Sequence, residues 1–533
     1  MKMTFGFFGL VLHGHIPWCK KSGIWPAGEE WLMEAMNETY IPMLNILREL
    51  KERGIKTAIT INITPILAEQ LADEYMKQRF TEYMDNLISR AKNDIKRFKN
   101  YKERKIIAEF YLRNFEHVLD TFYHNYYRNI LGSFKWLQDE GMIELITCGA
   151  NHGFLPLMES DSGIFSQIQV AVDTHKKYFE REPKGIWLPE CAYRPKEYKN
   201  GQVRESIDYW LHNTSIEYFF VDSHGILDAE LLEQKNNIGL TTNFGYTLET
   251  GISVFGRNKM TSRQVWDAQI GYPGNEYYRE FHRKDHESGL CYWRITNKES
   301  GKGEKQLYNI NMAGEIVENH ANHFVSMLYK ELNQFSKKFD RQGIVISPYD
   351  FELYGHWWME GVVWLKRIFE IINNLEDIKM ITISDYLSKF KDSFSIIRMN
   401  ESSWGEGGHF QVWKDPEHSW IWPYINGSIK AFEDVLNQNL NPNEWGKRIL
   451  QQTARELLLM EGSDWSFLLY TKQAKEYANQ RFHHHHQRFN KLIWAAKDTN
   501  DKNRISLREL EEIESIDSCF KEININYFRK IKG

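Results

Sequence analysis

The chain has 533 residues, 42% apolar and 26% charged, with a net charge of −5. This is globular composition with room for roughly two to four domains, and it shows no basic stripe suited to nucleic acid and no run near the roughly 18 apolar residues that span a bilayer. Five scattered cysteines without a CxxC pair argue against a disulfide scaffold and predict a reducing, cytoplasmic compartment.

The first apolar run, Phe5–Leu12, leads directly into His13-Gly-His-Ile-Pro-Trp18. No small-residue cleavage site follows it, so it reads as a strand and not as a leader. Similar short runs recur at Thr57–Ile63, Ile143–Cys148, Gly185–Leu188, Tyr218–Val221, Ile344–Ser347 and Met380–Ile383, several of them separated by long helical patterns. That alternation predicts parallel strands, most economically closed as a barrel. Residues from about 68 to 140 carry no strand signal and predict a helical insertion. Residues from about 225 to 340 are Gly-rich and predict irregular structure. Within them the stretch at about 234–262, with Gly239, Gly245, Gly251 and Gly256, predicts a mobile lid. Past about 425, Ile449, Thr453, Leu457 and Met460 recur at helical spacing. The predicted organisation is a catalytic barrel over 1–395 and a mainly helical C-terminal domain over 396–533. The internal His483–His486 run reads as a solvated helix face.

In a parallel barrel, reactive groups stand at the C-terminal ends of strands. His13 and His15 share one face of the first strand. They suit a metal pair, hydrogen bonds to substrate hydroxyls, or a structural role. His152, in Cys148-Gly-Ala-Asn-His-Gly153, suits a sugar contact or an orienting group. Glu190 closes Trp187-Leu-Pro-Glu-Cys-Ala-Tyr193, boxed by apolar residues; a carboxylate placed there needs a purpose. Cys191 points to the opposite face and is a poor nucleophile. Asp350 and Glu352 share a face near His356, Trp357 and Trp358. A ring-lined pocket raises a carboxyl pKa, which suits a general acid, and Glu352 competes for that role. Trp404, in Glu401-Ser-Ser-Trp-Gly, and Trp413 belong to an aromatic, Gly-rich loop. Many of the 18 tryptophans lie in polar surroundings, which suits a sugar cleft as well as it suits core packing. Two carboxylates at separate strand ends match glycoside hydrolysis, in which one attacks the anomeric carbon and the other protonates the leaving oxygen. A metal-dependent hydrolase using His13 and His15, and a non-catalytic glucan-binding protein, are the readings from other classes.

Five motifs carry a resemblance: His13-Gly-His-Ile-Pro, Ala150-Asn-His-Gly, Trp187-Leu-Pro-Glu-Cys-Ala-Tyr, Asp350-Phe-Glu-Leu-Tyr-Gly-His-Trp-Trp and Glu401-Ser-Ser-Trp-Gly. In this order they resemble glycoside hydrolase family 57, and within it the 1,4-α-glucan branching enzyme group, which Ser463-Asp-Trp465 also resembles. The resemblance implies an α/β fold: an incomplete (β/α)7 barrel with a helical insertion and a C-terminal helical domain that contributes to the active-site cleft. It implies retention of configuration, with no metal and no other cofactor. Glu190 then resembles the nucleophile, and Asp350, not Glu352, the general acid/base. The matching segments place glucan contacts at Arg257, Gly274, Trp404 and Asp464, and Trp266 and Trp413 resemble cleft tryptophans. His13, His15, His152 and His356 complete the predicted contact set. Asn151 departs from the Thr common in the family, and Phe351 from a small residue. Tyr246 stands about one residue out of register with the loop Tyr of branching enzymes and is predicted to lie over the bound chain. The implied activity is cleavage of an α-1,4 bond and transfer of the segment to a 6-hydroxyl of an α-glucan such as amylose, glycogen or starch. A monomer or small homo-oligomer would perform it. An α-amylase-like hydrolase or a 4-α-glucanotransferase of the same family is the nearest alternative.

Overall fold

The computed structural model describes residues 4–199, 201–267, 269–297, 304–498 and 504–531. Seven strands run in one direction: β1 Gly6–Gly14, β2 Ile59–Ile63, β3 Ile143–Ile146, β4 Gly185–Ile186, β5 Tyr218–Val221, β6 Ser253–Gly256 and β7 Gly343–Asp350. Parallel ladders join β7, β1, β2 and β3 in that order, and β4, β5 and β6 in a second set. A bridge from Thr147 to Ile186 ties β3 to β4. No ladder joins β6 to β7 among the described residues; isolated bonds hold them, such as Asn258 N–H to Ile346 O at 2.9 Å. The ring is an incomplete (β/α)7 barrel, open between β6 and β7. Its strands are buried on both faces, which is why they appear in the sequence as unbroken apolar runs.

Two strand expectations change. Met380–Ile383 is not a stave: the strand there is Ile378–Met380, and it pairs only with Gly6–Phe8 at the start of β1. The sixth stave, β6, lies inside the stretch expected to be a lid. Tyr246–Leu248 pairs with β6 on one side and with Ser395–Arg398 on the other. Val254 and Phe255 are fully buried. Residues 246–248 and 253–256 are therefore strands joined by a tight turn, with runs of three and four residues too short to show the period-two pattern.

The stretch between β2 and β3 is helical throughout. Glu74–Arg97 and Lys102–His124 pack side by side. Met76, Phe80, Met84, Leu87 and Ala91 form one buried stripe, and Asp73 caps the first helix by accepting from Met76 N–H. The region 225–340 is less irregular than expected, because Ile310–Phe339 is a single helix of 30 residues. Val317, Ala321, Phe324, Leu328, Leu332 and Phe335 are its buried face.

The expected boundary at 395/396 falls in a strand, Ser395–Arg398, that belongs to the barrel-side sheet. The helical part begins at Ile421–Gln438 and continues through Glu444–Met460, Ser463–Thr471, Lys475–Ala496 and Leu507–Ile516. His483–His486 is not one solvated face: His485 is fully buried, with Nδ1 2.8 Å from Glu456. Among the described residues no helix is long and apolar enough to cross a membrane.

Candidate active site

The registers of β1 set the centre. His13 is in register with Asn62 on β2 and with Asp350 at the end of β7. His13 Nδ1 lies 2.6 Å from Asn62 Oδ1, and its Nε2 lies 3.0 Å from His152 Nε2. His15, two residues on, stacks on His152 with ring centroids 4.1 Å apart. Its Nδ1 meets Thr64 Oγ1 at 3.1 Å and its Nε2 meets Asp464 at 3.0 Å. Three imidazoles from two strand ends thus form one layer, closed on its outer side by the C-terminal domain.

Glu190 enters this layer from the turn after β4. It adopts φ +62° and Cys191 follows at +48°. Two successive side-chain-bearing residues in the left-handed region cost about 1–3 kcal/mol each, which surrounding bonds must hold in place. Cys191 N–H donates to Leu188 O at 2.8 Å, and Trp404 N–H donates to Glu190 O at 3.1 Å. The Glu190 carboxylate accepts from Trp404 Nε1–H and from Ser463 Oγ–H, each at 2.8 Å. Burial raises its pKa, while those two bonds favour the charged form. Ser463 has one proton. It goes to Glu190, and Ser463 Oγ also lies 2.8 Å from Nδ1 of His152, whose Nε2 faces that of His13.

Asp350 and Glu352 stand in different environments. Glu352 accepts from His15 N–H at 3.0 Å and from Tyr40 Oη–H, so both its neighbours hold it in place. Asp350 accepts no hydrogen bond from a described residue. Burial, followed by the charges of Glu352 and Glu190, pushes its carboxyl up to about 8. Asp350 is thus an unbonded acid that holds its proton up to about pH 8, whereas two donors favour the charged form of Glu190. This is the division of labour that two-carboxylate chemistry needs. Burial would lower the His15 pKa, but Asp464, Glu352 and Glu190 outweigh it and raise the value. Burial and the charge of His15 hold His13 and His152 well below the usual range.

His13, His15, His152, Glu190, Asp350, Trp404 and Asp464 are therefore brought together. Arg257 joins them from beyond β6. It pairs with Asp222 at 2.5 Å and lies over the Trp404 ring at 6.0 Å. Trp266 is 42% exposed at the end of helix Lys259–Trp266, and Gly274 ends a short turn, Tyr272–Gly274. His356 turns to another cluster, with Nδ1 2.6 Å from Glu38 and its ring against Phe281. Two expectations are corrected. Tyr246 does not lie over the cleft: it is 1% exposed, donates to Gly239 O at 2.7 Å and accepts from Thr241 N–H at 2.8 Å. Trp413 offers no open face, being 1% exposed and stacked on Phe154 at 4.5 Å.

Ser463, Asn62, Thr64 and Tyr40 were not singled out by the sequence. Ser463 had a signal, its place beside Asp464; the others are ordinary residues whose meaning comes only from the fold. His15, His152 and Asp464 lie close enough to share an ion, as do His13, Cys148 and His152. The nitrogens of His13 and His15, and Nδ1 of His152, are already engaged by the partners above, so a metal would have to displace those bonds.

A family model described as glycosyl hydrolase family 57 matches residues 9–397, and one described as 1,4-alpha-glucan branching enzyme, C-terminal, matches 425–528. A curated relative from Thermococcus kodakarensis, named 1,4-alpha-glucan branching enzyme TK1436, is 40% identical over 529 residues, 97% of this chain and 78% of its own. Among solved structures, a GH57-type branching enzyme from Pyrococcus horikoshii is similar at a TM-score of 0.91 and 40% identity, over 99% of this chain and 97% of that one. The alpha-amylase AmyC from Thermotoga maritima is similar at a TM-score of 0.88 and 31% identity, over 100% of both chains.

Proposed function

The chain belongs to glycosyl hydrolase family 57, and on that premise we propose that it is a 1,4-α-glucan branching enzyme in which Glu190 is the nucleophile and Asp350 the general acid/base. The observation that carries the reading is the contrast between the two carboxyls. Glu190 is fixed by Trp404 and Ser463, while Asp350 is unbonded and protonated up to about pH 8. Glu190 attacks the anomeric carbon as Asp350 passes its proton to the leaving glycosidic oxygen, giving a covalent glycosyl-enzyme. Asp350, now ionised, takes the proton from the 6-hydroxyl of an acceptor chain. That oxygen displaces Glu190 and an α-1,6 bond forms with net retention. Asp464 and the layer of His13, His15 and His152 line the site of the donor chain, and Arg257, Trp266, Gly274 and Trp404 extend the contacts. No metal takes part. The Ser463-Asp464 segment, which brings C-terminal residues to Glu190 and His15, supports the branching reading over other activities of the family. A cytoplasmic location belongs to the same reading, supported by five buried cysteines, all free thiols.

A second reading, an α-amylase-like hydrolase, has two supports: the likeness to AmyC and the burial of Tyr246, which leaves the cleft without the expected ring over it. Incubation with amylose separates the two. Branching forms α-1,6 linkages with few new reducing ends, whereas hydrolysis forms a reducing end at every cleavage and no α-1,6 linkage.

A further inference from the structure

A cavity of about 650 Å³ opens where the chain after β4, the loop at 401–414 and the helix Ile421–Gln438 meet. It lies apart from the cluster around Glu190. Arg194 is four residues past Glu190, and Glu401 is three before Trp404. Between them on both segments stand the paired backbone bonds of Tyr193 and Ser402, at 2.8 and 3.1 Å. None of its lining residues bonds Glu190 or Asp350.

The wall holds two guanidinium groups with a donor to spare. Arg194 is 3% exposed. Its terminal nitrogens donate to Pro195 O and Glu205 O, and its buried Nε–H has no partner. Arg204 bonds Glu197 and Met158 O, and its buried Nε–H is likewise unpartnered. Buried donors left unpaired are costly, and an acceptor from outside the chain would satisfy two of them at one cavity. Burial, with the charge of Arg204 behind it, already pulls Arg194 down to about 10.

The charges in the wall select the kind of acceptor. Arg194, Arg204 and Lys414 face Glu159, Glu197 and Glu401. A phosphate or carboxylate ligand would meet as many carboxylates as cations. A polyol meets both with equal ease, because each hydroxyl donates and accepts. Phe410 and Trp422, each less than a tenth exposed, add a narrow apolar edge to the same wall. The volume is that of a small-molecule site, mixed apolar and polar.

We propose that this cavity is a second carbohydrate site, one that holds a segment of the glucan away from the reacting bond. It rests on the reading above only for which sugar is bound. Anchoring the polymer there would raise the effective concentration of chain at the catalytic cleft.

The test reads binding without turnover, so it stands whether the enzyme branches or hydrolyses. Glu190→Gln protein is titrated with maltotriose and run through native gels containing glycogen. Two classes of maltotriose site are expected. Gln411→Ala/Lys414→Ala, at two exposed rim positions, should remove one class and weaken glycogen retardation about tenfold, the scale of one charge-assisted hydrogen bond. Glu401→Gln, on another part of the rim, should weaken it in the same direction. In the otherwise wild-type enzyme the double variant should raise KM for amylose and leave kcat unchanged. A single class of maltotriose site, or full retardation in both variants, would overturn the proposal. So would inorganic phosphate occupying the cavity while maltotriose does not.

Discussion

Each carboxyl in the catalytic layer has a chemical state set by its nearest neighbours, and each state predicts a measurable loss. Glu190→Gln keeps an acceptor oxygen for Trp404 or Ser463 but removes the proposed nucleophile, so activity on amylose should fall by several orders of magnitude with the melting temperature nearly unchanged. Near-wild-type activity in a folded variant would remove Glu190 from the role. Asp350 must be protonated to act as acid. With its pKa at about 8, it is loaded across the neutral range and empties as pH rises. The alkaline limb of kcat/KM should therefore fall near pH 8 and vanish in Asp350→Asn, whose residual rate should be flat there. A limb that persists in the variant would belong to another group. Ser463→Ala removes one of the two bonds that favour ionised Glu190. Its acidic limb should move to higher pH, with kcat/KM reduced about tenfold to a hundredfold. Exhaustive chelation should leave all these profiles in place, whereas loss on chelation with recovery on zinc would favour a metallohydrolase built on the same histidines.

At the scale of elements, what the sequence disclosed depends on how clearly each signal stands out from its surroundings. The unbroken apolar runs at Phe5–Leu12 and Ile344–Ser347 were legible, and so was the 24-residue helix Glu74–Arg97, whose stripe from Met76 to Ala91 repeats over about four turns. The short strand β6 and its neighbour Tyr246–Leu248 were not: four glycines in the surrounding stretch resemble a flexible loop, and only pairing partners far along the chain turn it into sheet. The two candidate carboxylates, Glu190 and Asp350, stand out in the sequence because each sits in an unusual local context. The supporting bonds of Asn62, Thr64 and Tyr40 were not, since they depend on registers between strands. Tyr246 tests this distinction. In the core it loses packing and two hydrogen bonds on replacement, so Tyr246→Ala should cost about 3–5 kcal/mol in stability. Tyr246→Phe, which keeps the ring, should leave the ratio of branch points to reducing ends as in wild type. A large shift of that ratio in a stable Tyr246→Phe protein would return the residue to the cleft.

At the scale of the whole molecule, the active site depends on how the C-terminal helices dock on the barrel, because Ser463 and Asp464 come from one side and Glu190 and His15 from the other. A short circuit of buried polar groups fixes that seam. Glu461 accepts from Gln167 Nε2 at 2.7 Å, Gln167 Oε1 accepts from Asn151 N–H at 3.0 Å, and Asn151 Nδ2 donates to Leu458 O at 2.9 Å. Asn151, which stands where Thr is common in the family, spans the seam with an amide that a hydroxyl is too short to replace. Burial pushes the Glu461 carboxyl up from 4.5 to about 8. The folded protein therefore keeps a proton that the unfolded chain releases, and the stability this contributes is full below about pH 4.5 and is lost as pH rises to about 8. A neutral side chain of the same shape has no such dependence. Glu461→Gln should match the wild type near pH 4.5 and become the more stable of the two by up to about 1.4 kcal/mol per pH unit until pH 8, with no further gain above it. Glu461→Ala, which breaks the circuit, should instead lower both the melting temperature and kcat at every pH. Thermal melts of the three proteins from pH 5 to 9 decide the matter: parallel curves for wild type and Glu461→Gln would mean that Glu461 is ionised in the folded protein and that the seam is held by charge.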